Sequence, residues 1–336
     1  MATIKEIALK AAVSSSTVSR VLNLDESINV SEKTKNNIFK VAEELNYVTL
    51  RKRKKKKTNY TIGLIQWFTD KEEISDQYYL SIRTAIEKKC ANNLIRVERL
   101  FTEVEYDELD YIDGVIAIGT YSESEINKIK KFSSKIVFVD SSPNESLYDS
   151  VVIDFQKAVT EVLDYLVKLG HCNIGYIGGN ELIKTGREKK ENNAGIRLDT
   201  YTKYMKDKNL FNPELINIGE FSYEYGYNIM QKIILSNKIP TAFFAGSDAI
   251  AIGAYKAIIE NKFTIGRDIS IVGFDDIEMA KFMVPAMTTV KVYTEFIGEA
   301  AVDLLLERFI KERNVNKKVV IPTKLMIRES CKNFKV

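Results

Sequence analysis

The sequence is poor in the side chains on which most enzymes and metal sites depend. Its 336 residues include one histidine and three widely separated cysteines, Cys90, Cys172 and Cys331. With a single histidine, we expect neither a Ser-His-Asp triad nor a histidine-rich metal site. No CxxC pair is present, so the sequence does not indicate a zinc finger. The cysteines are odd in number and far apart, so it does not indicate a disulfide framework either. We therefore predict a protein that is not an enzyme and that uses no cofactor or metal.

Long apolar runs and phosphate-binding glycine motifs are also missing. No apolar run is long enough to cross a bilayer, and the polar N-terminus has no signal-peptide core. Gly175, Gly178 and Gly179 have neither the GxGxxG spacing of a dinucleotide site nor the spacing of a phosphate loop. We expect a cytoplasmic protein in a reducing environment, with no membrane partner.

The beginning of the chain has the pattern of two short helices joined by a tight turn. Residues 3–23 read TIKEIALKAAVSSSTVSRVLN, and Thr3 and Glu6 form a capping-box pair, so a helix should begin directly after Thr3. Ser14 is predicted to cap a second helix, Ser15–Leu22, because its hydroxyl can accept from the N–H groups of the next turn. We therefore predict a helix-turn-helix unit.

The second of these helices presents different chemistry on its two sides. Val18 and Val21 point one way, whereas hydroxyl groups and the guanidinium of Arg20 point largely the other way. Short donors and acceptors can meet base edges in the DNA major groove, and an arginine can fork onto guanine. An ordinary pair of surface helices is the alternative interpretation, but the position of the pair and the charge beside it favour DNA binding.

Positive charge is concentrated in the same part of the chain. Residues 1–60 contain thirteen Lys or Arg and six Asp or Glu, which gives +7; since the whole chain carries +3, the remainder carries −4. This imbalance predicts a polyanionic partner for the basic end alone. Seven consecutive cations occupy residues 51–57. A solvated linker is one interpretation of this run, but its place beside the helix pair favours neutralisation of DNA phosphates.

The helix pair resembles the helix-turn-helix headpiece of the LacI/GalR family of bacterial repressors. The match covers residues 2–8, 13–14 and 16–23. The resemblance also implies that Thr34 and Tyr47 touch phosphate groups, which set the register on DNA. The full set of predicted DNA contacts is Thr3, Ser14, Ser15, Ser16, Thr17, Ser19, Arg20, Asn23, Ser31, Thr34, Tyr47, Arg51, Arg53 and Lys54.

A third helix and a basic linker are predicted to follow the pair. Ser31 should cap this helix, Glu32–Leu45, whose apolar side would close a three-helix core. Relatives in the family carry a Pro-Asn and an Ala-Arg-x-Leu hinge helix after the headpiece tyrosine. This chain has Val48-Thr49-Leu50 and then only cations, so we do not expect an ordinary hinge helix here.

From Tyr60 onward, short apolar runs alternate with amphipathic segments. This alternation predicts parallel sheets with helices on both faces, arranged as a two-lobed α/β body. We expect two domains: residues 1–58 form the DNA-binding domain with its linker, and residues 59–336 form the domain for effector binding and dimerisation. Predicted strands are 62–67, 94–101, 112–118 and 135–139, then a second set of 151–153, 173–177, 215–218, 241–245 and 269–273, with short strands near 290 and 319–321. Predicted helices are 78–92, 123–131, 155–169, 198–206, 223–235, 249–260 and 295–312.

The body resembles the effector domain of the same family, which is shaped like the periplasmic sugar-binding proteins. Residues 76–83 look most like repressors of galactose and β-galactoside operons. The resemblance implies a ligand between the lobes, beyond the carboxyl ends of the strands. The residues that carry it are 62–65, 113–116, 169–171, 174–179, 247–253, 271–276 and 328–330.

Several candidate ligand contacts follow from their positions alone. A sugar site needs rings that stack and polar groups that satisfy several hydroxyls at once. Tyr78 and Tyr79 follow the loop after the first strand, and Asp140 ends a strand; each could instead be a core, turn or cap residue. Ser247 and Asp248 lie between a strand and a helix, where an aspartate could be only a capping residue.

Further contacts are implied by the resemblance. Phe221 matches a family aromatic that stacks on the effector, and Asp275 matches the effector-binding aspartate. Arg197 matches the effector arginine, with Arg187 as its rival because the alignment before residue 195 is ambiguous. The predicted effector contacts are Asp76, Tyr78, Tyr79, Asp140, Arg197, Phe221, Ser247, Asp248 and Asp275.

Taken with the resemblance, these patterns predict a sequence-specific transcriptional repressor. A small sugar, galactose or a metabolite related to β-galactosides, is expected to control its affinity for operator DNA. We expect a homodimer on a pseudo-palindromic operator, without the leucine heptad tail that would favour a tetramer after residues 328–330. The alternative is a sugar-binding module or Rossmann-type enzyme with a basic N-terminal appendage.

Overall fold

The computed structural model describes residues 3–22, 25, 28, 30–45, 47, 60–66, 68, 77–100, 111–185, 188–192, 195–236 and 238–334, with the backbone alone for 181–192. The chain divides into two compact units, Met1–Asn59 and Tyr60–Val336, which we call the headpiece and the body. Among the helices of the described segments, none is both long and apolar enough to cross a membrane.

Local signals set the ends of the headpiece helices. The Thr3 N–H donates to Glu6 Oε2 at 2.7 Å, and the Glu6 N–H donates to Thr3 Oγ1 at 3.3 Å, so the predicted capping box is present. The first helix ends where Ala12 takes a left-handed φ of 55°. The helices are α1 (Ile4–Ala11), α2 (Ser15–Leu22) and α3 (Glu32–Glu44), within one residue of their predicted bounds.

A small apolar core holds these three helices together. One side of each helix turns inward, so the polar side of α2 is left at the surface. Burial of apolar surface is the main stabilising contribution available to a unit of this size. The buried core residues are Ile7, Ala8, Ala11, Val18, Val21, Ile38, Val41 and Ala42.

The body alternates strands and helices, as its apolar runs predict. The first half contains β1 (Thr61–Gln66), α4 (Gln77–Asn92), β2 (Arg96–Leu100), β3 (Gly114–Ile118), α5 (Glu123–Ile129), β4 (Ile136–Val139), β5 (Asp149–Ile153), α6 (Phe155–Lys168), β6 (Ile174–Gly179), β7 (Glu181–Thr185) and β8 (Glu188–Asn192). The second half contains α7 (Ile196–Asp207), β9 (Ile216–Gly219), α8 (Tyr223–Leu235), β10 (Ala242–Ala245), α9 (Asp248–Glu260), β11 (Ser270–Asp275), β12 (Thr288–Lys291), α10 (Thr294–Ile310), β13 (Lys318–Ile321) and β14 (Lys324–Met326).

Two six-stranded sheets form the centres of the two lobes. The first has the order β13-β5-β4-β3-β1-β2 and is parallel throughout. The second has the order β14-β12-β11-β10-β6-β9 and is parallel except for the antiparallel pair β12 and β14. Successive residues of a strand point to opposite faces of the sheet. In β10, Phe243 packs against α8 and α9 on one face, and Phe244 packs against α6 and α7 on the other face. The predicted architecture, a helical headpiece and a two-lobed α/β body with helices on both sheet faces, is confirmed.

The chain crosses between the lobes three times. It leaves the first sheet between β5 and α6, returns between β12 and α10, and leaves again between β13 and β14. Strand 151–153, expected to open the second sheet, therefore lies in the first, where β5 pairs with β4 and β13. The antiparallel pair β7 and β8 and the short strand β14 were not predicted. The crossovers place the carboxyl ends of both sheets toward the space between the lobes.

Candidate functional site

The polar side of α2 faces solvent, as the sequence pattern predicts. Ser15, Ser16 and Arg20 are exposed and Ser19 is half-buried, whereas Val18 is fully buried in the headpiece core. Exposed hydroxyls and a guanidinium on one side of a short helix have the reach and the chemistry to contact base edges in a major groove. The predicted base-contacting side chains therefore share one accessible face.

Hydroxyl groups at the starts of α2 and α3 make local contacts. Ser14 Oγ accepts from the Thr17 N–H at 3.1 Å and lies 2.7 Å from Ser16 Oγ. Ser31 caps α3 in the same way, since the Thr34 N–H donates to Ser31 Oγ at 3.2 Å. A hydroxyl carries one donor and two lone pairs, so capping is compatible with the predicted contacts to DNA.

An ion pair that the sequence analysis did not anticipate lies at the end of α2. Arg20 Nε donates to Asp25 Oδ2 at 2.8 Å, and the Asp25 N–H donates to the carbonyl oxygen of Arg20 at 3.0 Å. Arg20 and Asp25 are five residues apart in sequence, which is not one of the i,i+3 or i,i+4 spacings of helical ion pairs, so the sequence gave no signal for this pair. The guanidinium expected to read DNA is therefore held by a carboxylate.

Of the other predicted DNA contacts, some lie within the described residues and some lie outside them. Tyr47 is half-buried against the headpiece core, and its N–H donates to the carbonyl oxygen of Ala42 at 2.8 Å. The predicted contacts Asn23, Arg51, Arg53 and Lys54 lie outside the described residues, as does the segment in which no ordinary hinge helix is expected.

In the body, two tyrosines and an aspartate of the first lobe form one hydrogen-bonded group. Asp140 directly follows β4 with a left-handed φ of 66°. Tyr78 Oη donates to Asp140 Oδ1 at 2.9 Å, and Tyr79 Oη donates to Asp140 Oδ2 at 2.8 Å. Burial raises the pKa of Asp140, although the hydrogen bonds from the two phenols and the charge of Arg197 oppose that rise. This carboxylate is thus a half-buried, oriented acceptor at a strand end.

Arg197 of the second lobe is surrounded by aromatic rings. Its guanidinium carbon lies 4.4 Å from the ring centroid of Phe155, 5.1 Å from that of Phe274 and 5.5 Å from that of Phe221. The rings of Phe155 and Phe274 stack with centroids 5.8 Å apart. Cation–π attraction to several rings fixes the direction of the side chain. The charge of Arg197 also opposes the rise in the pKa of Asp140, so this second-lobe arginine lies within electrostatic reach of the first-lobe carboxylate.

Asp275 ends β11 and belongs to the same group. Burial raises the pKa of Tyr78 well above its usual range, and the charges of Asp140 and Asp275 add to that rise. The backbone of Asp275 has a φ of 119°, and Asp276 follows with a φ of 55°. Residues other than glycine rarely adopt such values. We use the name inter-lobe site for Tyr78, Tyr79, Asp140, Arg197, Phe221 and Asp275.

Ser247 and Asp248 make hydrogen bonds within the second lobe. Ser247 caps α9 by accepting the Ile250 N–H at 3.3 Å. Asp248 is fully buried and accepts from Thr289 Oγ1 at 2.6 Å and from the Ile277 N–H at 2.8 Å. Burial raises the pKa of Asp248 to about 7, while these two hydrogen bonds oppose the rise. The oxygens of Asp248 therefore hold two distant segments of the second lobe together, and its contact with an effector stays a prediction.

The structure also adds residues to the site and leaves others undescribed. Phe155 and Phe274 contact Arg197 but were not predicted, because each also fits an ordinary core pattern. Their only sequence signal is position, since Phe155 follows a strand and Phe274 precedes Asp275. Asp76 and Arg187 lie outside the described residues. Within the described segments, no group of His, Cys, Asp and Glu side chains is arranged to hold a metal ion.

Comparison with known proteins matches both units. The model of bacterial regulatory proteins of the lacI family matches residues 3–49, and that of the periplasmic binding protein-like domain matches residues 163–331. The HTH-type transcriptional repressor MelR of Bacillus subtilis is 39% identical, with 98% of each chain covered. The HTH-type transcriptional regulator GalR of Streptococcus thermophilus is 36% identical, over 99% of this chain and 100% of the relative.

Solved structures share the fold along nearly the whole chain. A lac repressor dimer bound to operator and the anti-inducer ONPF has a TM-score of 0.69 and 24% identity, with 98% of this chain and 99% of that chain covered. The transcriptional regulator CelR in complex with cellobiose has a TM-score of 0.68 and 22% identity, over 98% of this chain and 100% of that chain.

Proposed function

Since the chain belongs to the LacI family of bacterial regulatory proteins, and is a DNA-binding transcriptional repressor controlled by a sugar effector, we propose that a galactose-type sugar in the inter-lobe site sets its affinity for operator DNA. The family and the class of function predicted from the sequence are confirmed. The relatives are regulators, so the alternative of a Rossmann-type enzyme with a basic appendage is set aside. We assign residues 1–58 to DNA binding, and residues 59–336 to effector binding and dimerisation.

The observation that carries the sugar proposal is the composition of the inter-lobe site. Rings of Tyr78, Tyr79 and Phe221 offer apolar faces, while Asp140, Asp275 and Arg197 offer acceptors and donors. A pyranose has both an apolar ring face and several hydroxyls, and a site built for those hydroxyls rejects analogues that lack them. Together these side chains supply both kinds of contact that such a ligand needs.

The charges of the inter-lobe site favour an uncharged sugar. Two carboxylates, of Asp140 and Asp275, stand against the single guanidinium of Arg197. Placing a dianionic phosphate beside two half-buried carboxylates costs electrostatic energy that one arginine does not offset. We therefore propose galactose or a neutral β-galactoside, and not its phosphate ester, as the effector.

Because the lobes are joined by three crossovers, such a sugar can change their relative arrangement. A ligand that contacts Asp140 on one lobe and Arg197 on the other stabilises one lobe arrangement over the other. We propose that this change weakens operator binding by the paired headpieces, with a coupling of about 1–3 kcal/mol.

We further propose that the repressor acts as a dimer in the cytoplasm. An apolar patch on the second lobe is exposed to solvent, with Met279 50%, Phe282 68% and Val284 83% exposed. Burial of this patch against a second copy would remove it from water, and a two-fold dimer matches a palindromic operator. A DNA target supports the proposed cytoplasmic location. Sedimentation of Phe282→Ser against wild type tests the patch; a dimer of unchanged strength would contradict it.

Calorimetric titration tests the effector proposal directly. Galactose and methyl β-galactoside should bind wild type, whereas galactose 6-phosphate should bind at least about tenfold more weakly because of the two carboxylates. Asp275→Asn should reduce the preference for the neutral sugar. Binding of the phosphate ester at the same or higher affinity would contradict the proposal.

A further inference from the structure

We propose that Asp25 is a specificity-determining residue that positions Arg20 for recognition of a guanine base. The inference rests on the proposed function, because it takes the polar face of α2 as the surface that reads operator DNA. Asp25 makes no base contact in this account. It acts through the guanidinium of Arg20, and is a positioning residue.

Two contacts tie Asp25 to Arg20. The Asp25 N–H donates to the Arg20 carbonyl oxygen at 3.0 Å, which fixes Asp25 just beyond the carboxyl end of α2. From that point Oδ2 of Asp25 accepts from Nε of Arg20 at 2.8 Å. The main chain thus sets the position of the carboxylate, and the carboxylate sets the direction of the guanidinium.

The nitrogen that Asp25 contacts suits this role. Guanine is recognised through O6 and N7 by a bidentate pair of arginine N–H groups. The guanidinium is a planar fork, so a contact at Nε fixes the plane and direction of its terminal nitrogens. The Arg20 side chain is 47% exposed, and a long exposed side chain loses rotamer freedom when it docks. Because the ion pair restricts Arg20 before DNA binds, less freedom is lost on binding.

Neither helix stability nor general DNA affinity explains a carboxylate here. The carboxyl end of a helix carries partial negative charge, so an aspartate beside it is electrostatically unfavourable. A negative charge next to the DNA-binding face also repels phosphate groups. The contact with Arg20 offsets both effects.

Selection of preferred operators from randomised duplexes, with the full-length protein, tests the proposal. Arg20→Ala should relax the preference at one base pair of each half-site. Asp25→Ala should lose about five- to tenfold of the discrimination at that same base pair, part of what a bidentate contact provides. Asp25→Asn, which keeps the shape and removes the charge, should lose less. The double variant should discriminate no worse than Arg20→Ala, because Asp25 acts through Arg20.

Glu44→Gln is the matched control for charge. It removes one carboxylate from an exposed headpiece ion pair, in which Lys10 Nζ lies 2.9 Å from Glu44 Oε2. It should leave base preference unchanged. The role of Asp25 would be overturned if Asp25→Ala bound all duplexes more tightly and kept full discrimination at that base pair. The proposed function would not be affected by that result. An unchanged base preference in Arg20→Ala would instead overturn the reading of DNA by α2, and with it this inference.

Discussion

The two candidate binding surfaces hold their charges in different ways. On the headpiece, Arg20 and Asp25 pair while their side chains remain 47% and 36% exposed. In the body, three rings surround Arg197, and two phenols donate to the half-buried carboxylate of Asp140. Water and salt screen the first pair, whereas a site shielded from water strengthens each contact and penalises any unpaired group.

This difference implies two kinds of recognition in one chain. A solvent-exposed charged face meets phosphates and base edges with little loss of hydration, so the headpiece suits a large polyanion in salt-dependent equilibrium. A shielded site accepts only a ligand that satisfies its oriented donors and acceptors, so the body suits one small molecule. The following changes should separate the two surfaces, beginning with the largest expected effect.

Arg197→Ala should abolish most sugar binding while operator binding without sugar stays near wild type. Loss of a half-buried charged donor should weaken galactose binding by about 100-fold, or about 3 kcal/mol. Arg197→Lys keeps the charge but not the planar fork, and should recover only part of the affinity. Calorimetry and operator titration measure the two properties, and equal sugar affinity of Arg197→Ala and wild type would remove Arg197 from the site.

Arg20→Ala should produce the opposite pattern. It should cost about 1–3 kcal/mol at the preferred operator and relax the base preference, with sugar affinity unchanged. Fluorescence anisotropy on the preferred duplex and on single-base variants measures this effect. An equal loss on every duplex would mean that Arg20 contacts only the DNA backbone.

A pH series should show how strongly the body shields its carboxylates. Burial raises the pKa of Asp248 to about 7 in the folded protein, above its ordinary value. The stability contributed by its neutral form is present below about pH 4 and is lost as the pH rises through about 7. Between pH 5 and pH 8, wild type should therefore lose on the order of 2–3 kcal/mol more unfolding free energy than Asp248→Asn. Urea unfolding of both proteins measures the difference, and parallel pH profiles would contradict it.

Lys54→Ala should have the smallest effect. Removal of one cation from the basic run should weaken binding to all duplexes alike and reduce the slope of log affinity against log salt by about one. Sugar affinity should not change. Operator titrations at several salt concentrations measure the slope, and a base-specific loss would show that Lys54 has another role.

Local patterns determined how much could be predicted from the sequence. The ends of α2 and α8 were predicted to the residue, because caps and the 3.6-residue apolar repeat are local signals. The hairpin Glu181–Asn192 is rich in charged residues and has no apolar strand pattern, so it was missed. The sheet to which Asp149–Ile153 belongs depends on pairing with Lys318–Ile321, more than 150 residues later, which no local pattern reveals.

The candidate site shows the same limit. Asp140 and Asp275 could be predicted because a carboxylate at a strand end is visible in the sequence. Asp248 has the same local pattern, but Ile277 and Thr289, 29 and 41 residues away, donate hydrogen bonds to its oxygens. Phe155 was missed because an aromatic residue at a helix start is typical of a core, and only the fold brings it to Arg197.

Control of the headpiece by the inter-lobe site is tested most directly by one measurement. The operator dissociation constants of wild type and Arg197→Ala should be determined with and without galactose at a concentration that saturates wild type. Galactose should weaken operator binding of wild type by about 5- to 150-fold and leave that of Arg197→Ala unchanged. An equal response of both proteins, or no response of wild type to bound galactose, would contradict the account.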